Sequence, residues 1–153
     1  MAHLNFRQDL VLGNNGEKTV RTFLEANSAI FINENHDNKY DLKMLVNGLE
    51  TTYEIKTDVL CTPTKDTGNI FIEFKCRNKP SGIEVSEADW FVTNFKHLNE
   101  LWFIKTTNLK KLIKENKFRV IVNGGDVGSN THGYLINRAL FKHAFKTYYC
   151  FYE

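Results

Sequence analysis

A chain of 153 residues with 42% hydrophobic and 13% aromatic content can bury one sizeable core and reads as a single domain over residues 1–153. No apolar run approaches the roughly 18 residues of a membrane span, and the N-terminal stretch with Asn5, Arg7, Gln8 and Asp9 lacks the apolar segment of a signal peptide. A net charge of +2 selects no partner by itself, and the expectation is an intracellular, cytoplasmic protein with no membrane partner.

In chain order, the pattern predicts a helix near 15–26, where Glu17, Val20 and Leu24 fall on one stripe. Strands follow near 29–33, 40–46, 49–58 and 69–76, then a turn at Pro80-Ser81-Gly82 and a short element around 86–92. A strand near 101–105, a helix near 107–116, a strand near 118–122 and a final α/β segment complete the chain. The fold class is mixed α/β, with Phe71, Phe74, Trp90, Phe91, Trp102 and Phe103 supplying core bulk.

The strongest local signal is Asn47-Gly48 between two β-rich runs, which predicts a two-residue type I′ hairpin. Pairing Val46 with Leu49 and walking outward brings Leu42 opposite Tyr53 and Asp41 opposite Glu54. Facing carboxylates at about 5 Å repel by roughly 3 kcal/mol at an effective dielectric of about 20, which calls for a neutralising cation. Strand alternation then puts Lys56 on the face of Glu54 and turns Ile55 into the core. Two carboxylates and an ammonium suit magnesium and a phosphate ester. Asp37 competes as the first acid, but the register selects Asp41, and Asp58 lies near the strand end with a surface role expected.

Asp41 and Glu54-Ile55-Lys56 resemble the signature of the PD-(D/E)XK nuclease superfamily, with Tyr40 where that family commonly has Pro. The similarity extends upstream to residues 14–24, which look like the family's first helix with Glu17 as a further acid. Downstream, residues 67–74, Ser81-Gly82-Ile83 and Ala88-Asp89-Trp90 look like segments of small nucleases encoded by phages or mobile elements, so the resemblance covers roughly residues 5–95. It implies a restriction-endonuclease-like core, a mixed sheet flanked by helices. It also implies a DNA endonuclease that hydrolyses phosphodiester bonds, in the cytoplasm of a phage-infected bacterial host. Asp41, Glu54, the Ile55 carbonyl and Glu17 would hold Mg2+, with Mn2+ substituting, and Lys56 would be catalytic. Glu73, Lys75 and Arg77 would be accessory or substrate contacts. Junction-resolving and homing activities fit the same residues. The alternative from another class is a noncatalytic DNA-binding module that keeps the fold.

Charge is uneven: residues 105–146 hold nine basic groups, Lys110, Lys111 and Lys114 among them, against Glu115 and Asp126. A basic half beside a metal pocket suits a DNA backbone, although these three lysines also read as the wet face of a helix anchored by Leu109, Leu112 and Ile113. Gly124-Gly125-Asp126-Val127-Gly128 lacks the Gly-Lys-Ser/Thr of a phosphate loop, so no nucleotide cofactor is expected. His3, His36, His97, His132 and His143 lack zinc spacing, and the three cysteines Cys61, Cys76 and Cys150 form no Cys-x-x-Cys pair. Cutting two strands with one compact subunit suggests a homodimer or larger homo-oligomer. The aromatic tail of Phe141, Phe145, Tyr148, Tyr149, Phe151 and Tyr152 is either its interface or, more simply, packed on its own core.

Overall fold

The computed structural model describes residues 6–35, 39–124 and 130–150, the side chains of residues 6–15, 123 and 124 excepted. Helix α1 (Phe6–Ala26) starts well before residue 15 and runs through Gly13-Asn14-Asn15-Gly16, a sequence that would ordinarily punctuate a helix. Packing overrides the local preference. Gly16 is buried against Thr57 of β3 (Leu49–Asp58), where an added Cβ would collide with the Thr57 hydroxyl. The helix ends in a Schellman arrangement: Ala29 N–H bonds the Leu24 carbonyl (3.0 Å), Ser28 N–H bonds that of Glu25 (3.1 Å), and Ser28 takes the left-handed φ of 73°.

Strands β1 (Ile30–Glu34), β2 (Leu42–Val46) and β3 make an antiparallel meander. Asn47 and Gly48, with φ of 49° and 80°, form the expected turn, and the register runs from Val46↔Leu49 to Leu42↔Tyr53 as read from the sequence. Beyond Leu42 the ladder is offset. The amide of Asp41 donates to the Tyr53 carbonyl (2.9 Å), so Asp41 and Leu42 share one partner and the regular Asp41↔Glu54 pair is replaced by a local bulge.

After β3 the chain leaves for a second sheet through β4 (Asn69–Cys76) and β5 (Lys79–Pro80), then returns as β6 (Trp90–Phe95), which lies parallel to β3. Strand β7 (Glu100–Lys105) follows, then helix α2 (Thr106–Glu115), β8 (Arg119–Gly124), β9 (Thr131–Asn137), a one-turn helix α3 (Arg138–Phe141) capped by Asn137, and β10 (Lys146–Tyr149). Among the described residues this gives a mixed six-stranded sheet, β1-β2-β3-β6-β7-β10, and a four-stranded sheet, β5-β4-β9-β8.

The central strands of the larger sheet are buried on both faces. One face packs on α1 through Tyr53, Ile55, Val92, Leu101 and Phe103, with Val20 and Leu24 from the helix. On the other, Phe91, Phe95, Trp102 and Ile104 meet Ile70, Ile72 and Ile136 of the smaller sheet and Leu109 of α2. Part of the tail packs within the chain: Phe145 is buried, β10 pairs with β7, and the Tyr148 ring lies near those of Phe23 and Phe103, while Tyr149 is 69% exposed. Phe151 and Tyr152 lie outside the described residues, as do Asp37 and Gly125 to Gly128. No helix among the described residues is long and apolar enough to cross a membrane.

Candidate active site

Strand β3 presents its alternating residues to two different surroundings. Tyr53 and Ile55 enter the α1 core, while Glu54 and Lys56 pair with Phe91 and Thr93 of β6 and so share the face turned toward the smaller sheet. Glu54 is only 8% exposed. Among the described residues it is ion-paired with Lys56, whose Nζ lies 3.4 Å from Oε1. Burial pushes the Glu54 carboxyl up to about 7; Lys56 opposes that rise, and the charges of Asp41 and Glu73 add to it. Burial alone would lower the Lys56 ammonium, but Glu54, Glu73 and Asp41 together hold it above the usual lysine range. The Lys56 side chain as a whole remains 43% exposed.

Asp41 is positioned by the bulge. Its Oδ2 accepts the Ile55 amide at 2.8 Å, the N–H that β2 would take had the ladder continued. The pleat turns the N–H and C=O of one residue to the same side of a strand, so the Ile55 carbonyl also faces the Asp41 side. The bulge therefore aims the first carboxylate across β3 instead of straight at Glu54, and the two acids act on each other through space.

Glu73, half-buried on β4, acts on both Glu54 and Lys56, which places it electrostatically within the cluster. Glu17 is half-buried on α1, next to the Gly16–Thr57 contact. Among the described residues no three His, Cys, Asp or Glu side chains gather into a metal-holding group. The donor set near Ile55 is two carboxylates and a backbone carbonyl, which suits an ion that keeps water and phosphate in its remaining positions.

The other expected contacts are dispersed. Lys75 is half-buried opposite His132, and Arg77 is exposed in the β4–β5 turn. Lys110, Lys111 and Lys114 lie exposed on α2, Lys111 within 3.8 Å of Glu115. Arg138, counted in the basic half, is no surface cation: it is buried, paired with Asp66, 3.9 Å from Glu100, and stacked over Phe95 at 4.5 Å. Asp58 accepts the amides of Leu60 and Cys61 (2.8 and 3.0 Å) and closes the turn after β3. Asp89, which sequence reasoning passed over as an acid, accepts from the amide and hydroxyl of Thr52 and ties β3 to the start of β6. Compared with protein families, with curated proteins and with solved structures, the chain matches none.

Proposed function

We propose that this protein is a divalent-metal-dependent DNA endonuclease with a restriction-endonuclease-like core, its site built from Asp41, Glu54 and Lys56. The observation that carries the reading is the convergence on one short stretch of β3 of a buried carboxyl, an ammonium 3.4 Å from it and a second carboxylate anchored on the Ile55 amide. Burying Glu54 with Asp41 and Glu73 nearby costs stability, and strain of this kind concentrates where a charged ligand is awaited. Asp41, Glu54 and the Ile55 carbonyl are the groups suited to hold Mg2+ or Mn2+, with Glu17 and Glu73 as the further acids of this reading. Such an ion, when bound, lowers the pKa of a coordinated water and polarises a phosphoryl oxygen.

The chain's own residues supply the rest. The Ile55 amide fixes the Asp41 carboxylate, so that group needs no reorganisation when substrate arrives. Lys56 offers its ammonium to the negative charge that builds on phosphate oxygens during in-line attack, and Glu54 holds the lysine in place beforehand. For duplex cleavage the corresponding assembly is a symmetric homodimer, one site per strand.

The test is nicking of supercoiled plasmid in Mg2+, in Mn2+ and in EDTA. Wild type is expected to cut only with metal, and Asp41→Ala, Glu54→Ala and Lys56→Ala to lose about three orders of magnitude or more in rate. Metal-dependent cutting that survives both carboxylate substitutions would overturn the assignment. A wild-type protein that binds DNA and never cuts it would favour the noncatalytic module.

A further inference from the structure

The smaller sheet carries a second irregularity, and it lies next to the acid cluster. Register along β4 and β9 runs Phe71↔Leu135, Ile72↔Tyr134, Glu73↔Gly133 and then Lys75↔His132, so Phe74 is the extra residue of a bulge. Ile70, Ile72 and Ile136 face the larger sheet, and His132 and Tyr134 share the parity of Ile136. Phe74 packs on that same core, and Lys75, paired with His132, is turned to the same face. The bulge thus adds an aromatic and a cation to a side that regular pairing would give only one of them.

Phe74 lies 4.6 Å from the Tyr134 ring and 6.1 Å from that of His132, and all three are half-buried. Val120, paired with Tyr134 on the outer strand, is 46% exposed and extends the apolar surface. Two cations adjoin it: Lys75 on this face and Arg77 in the β4–β5 turn that follows. This face of the smaller sheet looks toward the larger sheet's face that bears Glu54 and Lys56, and Glu73, one residue before Phe74, acts on both of them.

We infer that Phe74, Tyr134 and His132, with Lys75, form a platform that stacks an unpaired DNA base beside the cleavage site, so that the substrate is DNA with a single-stranded portion. The inference rests on the nuclease reading for the site and adds its substrate class. Base–aromatic stacking tolerates any sequence, and it requires that the base be out of the duplex. A continuous helix would offer this platform only its sugar–phosphate backbone. Lys75 holds the phosphate that joins the stacked nucleotide to the next.

The experiment measures binding by fluorescence anisotropy, with Ca2+ in place of Mg2+, to a labelled dT20 strand, a blunt 20-base-pair duplex and the same duplex with a ten-nucleotide flap. Wild type should bind strand and flap at least tenfold tighter than blunt duplex. Tyr134→Ala and Phe74→Leu should each weaken strand and flap binding by about tenfold and leave duplex binding unchanged, while Tyr134→Phe keeps wild-type affinity. Lys75→Ala should flatten the salt dependence by about one counterion. Thermal melts confirm that each variant is folded, and Tyr134→Phe separates loss of the ring from loss of the hydroxyl. Blunt duplex bound as tightly as flap, or equal losses on all three probes, overturns the platform. Cleavage assays on the same probes separate the two readings. Strand binding through the platform without metal-dependent cutting defeats the nuclease and leaves the platform, and efficient cutting of blunt duplex alone does the reverse.

Discussion

Glu54 is where the chemistry of single residues is most exposed to measurement. Its carboxyl is buried and pushed up to about 7, against an ordinary value of 4.5. A group whose folded-state pKa is raised lends stability that is present below its unfolded value and is lost as pH rises through the folded one. Between about pH 4.5 and 7 the protein therefore gives up stability as Glu54 ionises among Asp41 and Glu73. Glu54→Gln removes that titration. Without divalent metal the variant should match wild type near pH 4.5 and exceed it at pH 8 by about 1–2 kcal/mol, read as a rise of several degrees in melting temperature. A constant difference at both pH values would show that ionisation of Glu54 is not the cause. The aspartate that opens the site illustrates what one sequence can disclose. Asp41 was legible because a type I′ turn counts residues outward from Asn47-Gly48, but the count assumes an unbroken ladder. The bulge at Asp41 depends on where the chain goes after Asn35, whose amide bonds the Asp41 carbonyl (3.0 Å), and that is set by β1 and not by the hairpin.

Among the elements, α1 departs most from its expected bounds and shows why. Gly13, Asn14, Asn15 and Gly16 are poor helix formers, so local preference starts the helix late. What keeps it continuous is that a residue without a side chain lets the helix backbone approach β3 at Thr57. Gly16→Ala would improve local propensity by about 1 kcal/mol and still destabilise the protein, by about 1–3 kcal/mol net, because Thr57 cannot retreat from a strand bonded to β6. Adding Thr57→Ala should recover part of the loss, which urea denaturation of the single and double variants would measure. Additive losses would mean that the two positions are not in contact. Strands with alternating or strongly apolar runs were legible within a residue or two, as for β3, β4 and β7. The pairings were not: β3 with β6, and β4 with β9, join segments separated by long stretches of chain, and periodicity within a strand carries no information about its partner. The basic half was misjudged at Arg138 for the same reason, since the acids that bury it come from distant parts of the sequence.

At the scale of the molecule, Arg138 joins what the topology separates. It follows β9 of the smaller sheet, pairs with Asp66 just before β4, approaches Glu100 on β7 of the larger sheet and covers Phe95 on β6. Arg138→Met keeps the aliphatic packing and removes the charge, and it should cost about 2–3 kcal/mol by leaving two acids without their cation. Chemical denaturation would read this as a lower midpoint, and an unchanged midpoint would show the ion pairs to be energetically neutral. The order of strands also carries a consequence for how the protein is made. A ribosome delivers β4, with its Ile70-Phe71-Ile72 run, when β9 is still more than fifty residues from being synthesised, and β6, which completes the surface that β4 covers, also emerges later. During that interval the nascent chain has the hairpin partner β5 and nothing else to shield an apolar strand edge. At synthesis rates of about 5–20 residues per second the exposure lasts several seconds, long enough for a chaperone to engage the chain and for crowded expression to divert it into aggregates.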